Sequence, residues 1–374
     1  MKKVLVYGLK NMRAGVENYL LTMQREMKDE ISFVYIVEGD ECIHDSVIKE
    51  LNGDILYLPD RHNIKKYISA YKKYLKEYKS ESGVLYSNIN DISFDFIIVL
   101  NAILLGYRVI VHSHNAMLEP IKKLRYRIIH KILEFFGKIV LKSRKIERLA
   151  VSERAARYLF GNKQYICVSP GVSSEEFKFS QVCRDKIRND FNLSESIVIG
   201  FVGRLVSVKN PFFTIDVFRN MLLKNPDFDL RLLIVGDGPL RSQMESYSAE
   251  KKIADKICFT GQVDNVSDYL MGMDCLIAPS ISEGMPLTII EAQAAGLPCI
   301  CSKDRIPNEI NITSLVEFVR LEEGAECWAD HCIAKYQENS EVNRISWNET
   351  FENSQFEIKN AAEKLKLVLF NNIR

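Results

Sequence analysis

Apolar and polar positions follow two periods along the chain. Short apolar runs, such as Lys3–Gly8 and Ile31–Val37, are followed by longer stretches in which apolar residues recur at helical spacing, as in Gly15–Lys28. The alternation breaks at Pro170–Ser174 and then restarts. Strands that alternate with helices predict parallel sheets with crossover helices, so we expect two doubly wound α/β domains. Ligands of such sheets bind beyond the carboxyl ends of the strands, and a cleft between the two domains is the expected site.

The composition is that of a soluble folded protein, with 374 residues of which 47% are hydrophobic and 26% are charged. Because 50 basic residues stand against 49 acidic ones, no overall charge favours nucleic acid. The nine cysteines are odd in number and form no CxxC pair. This pattern predicts free thiols in a reducing cytosol and no zinc site.

The chain offers no segment typical of a membrane anchor. Met1-Lys2-Lys3 leads directly into the first strand, so no signal peptide is predicted. The longest apolar stretch, Phe94–Leu105, is interrupted by Asp95 and Asn101 and is shorter than the ~20 residues that a membrane span needs. We therefore expect a cytoplasmic protein, either free or peripheral on the inner face of the membrane.

A pair of basic residues follows the predicted strand Ile197–Val202. Arg204 and Lys209 lie in a loop ahead of a helix that Pro211 can start. A planar guanidinium and a point charge at one strand end suit a diphosphate. A solvated loop with two surface cations is the alternative.

Two carboxylates, Glu283 and Glu291, follow a later predicted strand. Pro286 fits a first helical position, so the free amides of Leu287 and Thr288 can hold phosphate. Glu291 lies farther along the same apolar helix, where a glutamate is unusual unless it is paired. It can accept hydrogen bonds from a ribose diol, or it can be a structural glutamate paired with a basic residue.

Two histidines, His112 and His114, lie at the end of the predicted strand Arg108–Val111. A histidine there can act as a base or donate to a hydroxyl. The pair can also begin a metal site, but no third ligand is near in the sequence, and a satisfied structural histidine is the other alternative. Gly15 opens the first helix and lets backbone amides approach an anion. GxGxxG is missing, which argues against a dehydrogenase.

These motifs together resemble the family 4 (retaining) glycosyltransferases of the GT-B fold. The resemblance covers about residues 2–310 and is strongest in GFVGRLVSVKN, LLIVGDGPLR, FTGQVDNV and MDCLIAPSISEGMPLTIIEAQAAGLPCICSKD, with AGVENYLL and HSHN in the first half. Within the family, the chain is most similar to bacterial capsule and exopolysaccharide transferases.

The resemblance implies two Rossmann-like domains that face a cleft. One would be residues 1–172 plus 350–374, with a final helix at about Ser354–Leu369 crossing back onto it, and the other residues 173–349. It implies transfer of a sugar from a nucleoside diphosphate donor, with UDP favoured, and retention of the anomeric configuration. The implied site residues are His114 and Glu283 for catalysis; Arg204, Lys209, Gly15, Leu287 and Thr288 for the donor diphosphate; Glu291 for the ribose; and Gln262 and Val263 for the base. The family usually has Gly-Gly where this chain has Ala14-Gly15.

No metal and no other cofactor is expected, since the nucleotide sugar is a substrate. Arg204, Lys209 and a helix N-terminus can stabilise the leaving nucleoside diphosphate. Metal-dependent glycosyltransferases use Asp-x-Asp at a strand end. The match here, Asp227-Phe228-Asp229, precedes a strand and is predicted to be a turn.

The segment Leu118–Arg148 holds ten basic and three acidic residues, a net charge of +7. Its apolar residues at helical spacing are Ile121, Leu124, Ile128, Ile132, Phe135 and Ile139. Such a helix can lie on an anionic membrane surface. The resemblance adds a polyprenyl-diphosphate-linked saccharide as the acceptor. A core-facing helix with a solvated basic face is the alternative, and nucleic acid is disfavoured because no recognition motif accompanies the patch.

Two other functions fit the same motifs. A GT-B-like nucleotide-sugar 2-epimerase needs only one substrate. A non-catalytic sugar-nucleotide-binding subunit at the membrane needs none of the catalytic residues, and the presence of Glu283 and His114 argues against it.

Overall fold

The computed structural model describes residues 1–12, 15–89, 91–114, 124–339 and 343–370. The chain divides into two units. Unit 1 comprises Met1–Gly171 and Ile358–Arg374, and unit 2 comprises Val172–Glu357.

Unit 1 is built on a sheet of seven parallel strands in the order β3-β2-β1-β4-β5-β6-β7. The strands are β1 (Lys2–Tyr7), β2 (Ile31–Glu38), β3 (Asp54–Leu58), β4 (Val84–Ile89), β5 (Arg108–Ser113), β6 (Ile146–Ala150) and β7 (Ile166–Cys167). The helices are α1 (Gly15–Met27), α2 (Asp45–Glu50), α3 (Ile64–Glu77), α4 (Ile92–Leu104), α5 (Leu124–Leu141) and α6 (Glu153–Phe160). The strand order reverses between β1 and β4, which makes this edge the switch point of the sheet.

Unit 2 has the same architecture, with a sheet of six parallel strands in the order β10-β9-β8-β11-β12-β13. The strands are β8 (Ile197–Val202), β9 (Leu230–Val235), β10 (Ile257–Gly261), β11 (Cys275–Ala278), β12 (Cys299–Ser302) and β13 (Val316–Val319). The helices are α7 (Gln181–Asp190), α8 (Pro211–Lys224), α9 (Arg241–Glu250), α10 (Val266–Gly272), α11 (Leu287–Ala294), α12 (Gly324–Asn339) and α13 (Arg344–Glu352). Its switch point lies between β8 and β11.

Local chemistry sets where several helices begin. The Asp91 side chain accepts a hydrogen bond from the amide of Ser93 and caps α4, and the Ser152 hydroxyl accepts from the amide of Ala155 and caps α6. Pro211 starts α8 as predicted. Pro286, expected as the first residue of α11, is instead its N-cap, with an extended backbone.

The last helix, α14 (Ile358–Phe370), returns to unit 1 and packs against α1. Its Leu365 and Leu369 are fully buried in the core of unit 1. The Arg108 guanidinium donates to the carbonyls of Val368 and Leu369 at 2.6 and 2.8 Å, which satisfies the end of the helix. The helix begins four residues later than the sequence predicted.

The expected domain boundary at residue 350 is corrected to 358. Residues 350–357 belong to unit 2 because Phe351 and Phe356 are fully buried in its core. The amide of Val172 also donates to the carbonyl of Phe356 at 2.8 Å, so the two ends of unit 2 are bonded together.

All nine cysteines are free, and five of them are buried, which confirms the predicted thiols. Among the described helices, none combines the length and apolar character that crossing a membrane requires.

Candidate active site

The loops that follow β8, β11 and β12 are joined at one edge of unit 2. The amide of Ile281 donates to the carbonyl of Val208 at 2.8 Å, and the amide of Glu283 donates to the carbonyl of Arg305 at 3.1 Å. These bonds hold the two predicted donor motifs side by side at the switch point, where doubly wound sheets bind ligands.

Lys209 and Glu283 form an ion pair across these loops. Lys209 ends a short 3₁₀ turn, Ser207–Lys209, and the next residue, Asn210, is in the left-handed conformation with φ of 55°. Lys209 Nζ lies 2.6 Å from Glu283 Oε1, and the two side chains are 23% and 14% exposed. The resemblance implies that Lys209 binds the donor diphosphate and that Glu283 is catalytic. The structure shows that they also compensate each other's charge.

Arg204 lies in the same loop with its side chain exposed. Within the described part of the chain, its guanidinium has neither an ion-pair partner nor a hydrogen-bond partner. Its five donors are therefore available to an anion.

Glu291 lies on α11, one turn beyond the helix start. Burial raises the pKa of its carboxyl to about 7, the nearby Glu176 raises it further, and Lys209 opposes the shift. No ion pair to Glu291 exists among the described residues, which argues against the structural alternative. Pro286 offers no side chain to cap the amides of Leu287 and Thr288, so this helix end is open to an anion.

The predicted base-binding residues follow the edge strand β10. Gly261 ends this strand with φ of 74°, and its carbonyl accepts from the amide of Gly236 at 2.9 Å. Gln262 is exposed, whereas Val263 is partly buried against the core of unit 2. The structure puts both at the same carboxyl edge of the sheet as Lys209, two strands away from β8.

In unit 1, His114 directly follows β5 and is held by a buried amide. Its Nε2 lies 2.8 Å from Oδ1 of Asn88, and its ring lies 4.9 Å from the Tyr19 ring and 4.3 Å from the His112 ring. Burial lowers the pKa of His114 to about 3, so the imidazole is neutral at physiological pH. A neutral ring donates one hydrogen bond and accepts another, but it brings no charge to the site.

His112 is a core residue, with no exposed surface. Its Nδ1 lies 2.6 Å from the hydroxyl of Tyr86, which in turn lies 3.0 Å from the hydroxyl of Tyr19. Burial and the neighbouring His114 lower its pKa. His112 therefore supports the ring of His114 from inside the sheet.

Gly15 is the first residue of α1, and a Cβ built there would meet no atom within 4 Å. The space that an anion would need beside this helix end is thus present. Ala14, where the chain departs from the family pattern, lies outside the described residues.

The predicted basic helix is shorter than expected within the described residues: α5 ends at Leu141, and residues 146–148 belong to strand β6. Residues 115–123 lie outside the described part of the chain. Large apolar side chains along α5 are 43–63% exposed: Tyr126, Ile128, Ile129, Ile132, Phe135, Phe136 and Ile139. Gly137 packs closely on α4, where an added Cβ would lie 2.7 Å from Ile92. The alternative of a core-facing helix is wrong for these side chains, because they face solvent rather than the core.

Among the described residues, no group of possible metal ligands lies at these motifs. Asp229, in the expected turn before β9, is engaged by Ser196 and by Lys256. In the described part of the chain, one group of possible ligands occurs, Glu323, Cys327 and His331, whose ligand atoms lie within 4.8 Å of one another. It lies at the start of α12 and along it, not in the loops after β8 and β11.

Sequence reasoning missed Asn88 and Tyr19, which contact His114 directly. Both belong to ordinary strand and helix patterns, so periodicity gave no signal. The available signal was topological: β4 and β5 are neighbours, and Asn88 pairs with His112 in register.

The family match and the sequence relatives of this chain all point to glycosyltransferases. Residues 184–320 match the family described as Glycosyl transferases group 1. EpsF of Bacillus subtilis (strain 168), which carries a glycosyltransferase designation, is 28% identical over 330 residues, covering 85% of this chain and 83% of that protein. The UDP-Gal:alpha-D-GlcNAc-diphosphoundecaprenol alpha-1,3-galactosyltransferase of Escherichia coli is 28% identical over 279 residues, covering 70% of this chain and 67% of the enzyme.

Solved structures with a similar fold were also found. The structure of Alr3699/HepE from Anabaena, in complex with UDP and glucose, superposes with a TM-score of 0.79 at 12% identity, covering 99% of this chain and all of that one. That similarity concerns the fold, which is GT-B. The family match over residues 184–320, the sequence relatives and the fold together show that this chain is similar to the group 1, family 4-type glycosyltransferases.

Proposed function

We propose that the chain is a retaining glycosyltransferase of surface polysaccharide biosynthesis. It moves a sugar from a nucleoside diphosphate donor, with UDP favoured, to a saccharide acceptor carried on a polyprenyl diphosphate. The observation that carries the proposal is the charged cluster at the switch point of unit 2, where Lys209 pairs with Glu283.

The donor half of the proposal rests on complementary charge. Arg204 and Lys209 face the diphosphate together with the amides of Leu287 and Thr288, and Glu291 accepts from the ribose diol. Arg204 has no other described partner, and α11 begins without a side-chain cap. Gln262 and Val263 contact the base, and Gly15 lets the diphosphate approach α1. The Anabaena structure, which holds UDP and glucose, supports UDP as the nucleotide.

The chemistry breaks the bond between the anomeric carbon and the diphosphate oxygen and forms a bond from that carbon to an acceptor hydroxyl oxygen. The leaving diphosphate takes the electron pair, and the cations of Arg204 and Lys209 stabilise it. The acceptor proton leaves with the diphosphate. When the donor engages Lys209, Glu283 is released to contact the transferred sugar. His114 contacts the reacting sugar as a neutral group.

The transfer needs no divalent metal in this proposal. Two side-chain cations and one helix N-terminus supply the positive charge that a metal gives in other glycosyltransferases. Activity is therefore expected to survive EDTA. Loss of turnover on chelation, with recovery on adding Mg²⁺ or Mn²⁺, would overturn this part.

The acceptor half rests on α5. Helix α5 and the four residues after it, 124–145, contain seven basic side chains and one acidic one, Glu134, which is paired with Lys138 at 2.6 Å. A basic helix with exposed Ile132 and Phe135 suits an anionic membrane surface, which would present a lipid-linked acceptor. The Escherichia coli relative is named for an acceptor on diphosphoundecaprenol.

An experiment separates this proposal from its rivals. A thermal-shift screen of nucleoside diphosphates and their sugars identifies the donor, which raises Tm by binding the folded chain. The donor is then incubated with and without a lipid-linked saccharide. Release of nucleoside diphosphate only with the acceptor supports a transferase. Conversion of the donor to an epimeric nucleotide sugar without any acceptor supports the 2-epimerase, and binding with neither release nor epimerisation supports a non-catalytic subunit.

A further inference from the structure

Asn88 carries an unsatisfied hydrogen-bond donor beside His114. The residue is 3% exposed and lies near the carboxyl end of β4. Its Oδ1 lies 2.8 Å from His114 Nε2, while its Nδ2 has no hydrogen-bond partner in the described part of the chain. Burying an N–H without a hydrogen-bond partner is unfavourable, so such groups are rare in folded proteins.

The bond to Asn88 fixes the tautomer of His114. An amide oxygen accepts hydrogen bonds and cannot donate them, so Nε2 of the neutral ring carries the proton. The lone pair then lies on Nδ1, and Nε2 is already occupied. Without Asn88, the neutral ring could exchange between its two tautomers.

Asn88 also lies directly against the loop that leaves β1. Gly8, with φ of 110°, approaches so closely that an added Cβ would lie 2.1 Å from the carbonyl oxygen of Asn88 and 3.0 Å from its Cβ. This places the unsatisfied amide at the switch point between β1 and β4, where a doubly wound sheet binds its ligand.

We propose that Asn88 has two tasks, and the proposal rests on the function given above. It is a positioning residue that holds His114 in the Nε2–H tautomer, with Nδ1 free toward the substrate. Its own Nδ2–H donates a hydrogen bond to a hydroxyl oxygen of the reacting sugar. The ligand class is therefore a neutral sugar hydroxyl, which matches the neutral state of His114.

Two variants of the full-length chain separate the tasks. Asn88→Asp keeps an acceptor oxygen for His114 but removes the N–H donor, and Asn88→Leu removes both. Asn101→Leu is a matched control, since Asn101 is a buried asparagine of unit 1 that donates within α4 to the carbonyl of Ile97 at 2.7 Å.

The first readout is the ¹⁵N spectrum of the six histidines, with His114 assigned by its loss in His114→Ala. This measurement needs no substrate, so it stays decisive even if no nucleotide sugar is turned over. The wild type should show the Nε2–H tautomer with no titration near neutral pH. Asn88→Leu should show a mixture of tautomers. Asn88→Asp should raise the pKa of His114, because a carboxylate favours the imidazolium.

The second readout is turnover with the nucleotide sugar that the donor screen identifies. Asn88→Asp should lower kcat/KM about tenfold through loss of one hydrogen bond and shift the acid limb of its pH profile upward. Asn88→Leu should lower it further, with an unshifted profile. An unchanged His114 tautomer in Asn88→Leu would overturn the positioning role. A kcat/KM for Asn88→Asp equal to that of Asn101→Leu would overturn the sugar contact.

Discussion

At the switch point of unit 2 the candidate site side chains are charged, whereas the side chains packed against His114 in unit 1 are neutral. Lys209 Nζ lies 2.6 Å from Glu283 Oε1, and Lys209 opposes the rise in the pKa of Glu291 that burial causes. His114 instead contacts Asn88 and Tyr19, and burial keeps it uncharged. The sheets follow the same doubly wound plan, so the difference comes from the side chains at the strand ends.

On the function proposed above, this difference lets one architecture bind two kinds of ligand. A diphosphate carries formal charge and needs fixed cations, which unit 2 supplies from loops that are bonded together. A sugar hydroxyl is neutral and is better matched by uncharged donors and acceptors in a buried setting. On this view, mutations in unit 2 should change donor affinity, and mutations around His114 should change turnover.

Replacing His114 should have the largest effect. His114→Ala should lower kcat by roughly 10²–10³-fold, the size seen when one preorganised transition-state contact is removed. The affinity for UDP alone should stay nearly unchanged, since no residue of unit 2 is altered. Steady-state kinetics and calorimetry on the full chain measure the two quantities.

His44→Ala is the matched control, because His44 is another buried histidine of unit 1 and its Nε2 lies 3.0 Å from the carbonyl of Met12. It should affect stability but not kcat. A His114→Ala enzyme that loses UDP affinity rather than turnover would erase the contrast between the units.

Replacing Lys209 should have the next largest effect. Lys209→Ala should weaken binding of UDP by about 1.5–3 kcal/mol, roughly 10–150-fold, through loss of a charged hydrogen bond. It should also lower the free energy of unfolding, because Glu283 is left as a partly buried charge without its partner. Calorimetry and chemical denaturation report the two effects.

The double variant Lys209→Met with Glu283→Gln separates structure from function. It removes both charges, so stability should recover while UDP affinity stays low. Recovery of both would mean that Lys209 serves Glu283 rather than the diphosphate.

The exposed apolar side chains of α5, in unit 1, are a second difference between the two units. Ile128, Ile132 and Phe135 of α5 changed together to Ser should lower binding to anionic vesicles by roughly tenfold or more, through loss of apolar burial. The control changes Val182, Leu223 and Phe228, which are exposed apolar residues of unit 2. Co-sedimentation of both variants with phosphatidylglycerol vesicles measures the difference. Equal losses would show that α5 has no special role at the membrane.

The sequence predicted what depends on local pattern, and it missed what depends on contact between distant segments. The strand Ile197–Val202 was predicted to the residue, because a buried parallel strand is a continuous apolar run. Asn88 gave no such signal, since its importance comes from a neighbouring strand and from the close approach of Gly8.

The ion pair between Lys209 and Glu283 could not be predicted from the sequence either. The motifs placed Lys209 and Glu283 at strand ends of one sheet, but the distance between them depends on how the loops after β8 and β11 fold together. The exposure of the apolar residues of α5 could not be predicted from the sequence either. Helical spacing predicted the stripe, but it did not show that the stripe meets solvent rather than the core.

Glu291 gives the smallest expected effect and the one with the clearest dependence on pH. The pKa of its carboxyl is raised from 4.5 to about 7 in the folded chain, chiefly by burial. Between these values the folded protein holds a proton that the unfolded protein has lost, so wild-type stability falls as the pH rises from about 4.5 to about 7. Glu291→Gln is neutral at every pH and escapes this loss. The variant should therefore match the wild type near pH 4.5 and exceed it at pH 8, with a Tm higher by roughly 2–4 °C for each kcal/mol gained. Saturating UDP should reverse the ranking at pH 8, because an ionised Glu291 accepts the ribose hydroxyls and the donor binds the wild type more tightly. A Tm difference that is the same at both pH values would show that the charge of Glu291 carries no penalty, and a ranking unchanged by UDP would remove Glu291 from the ribose site.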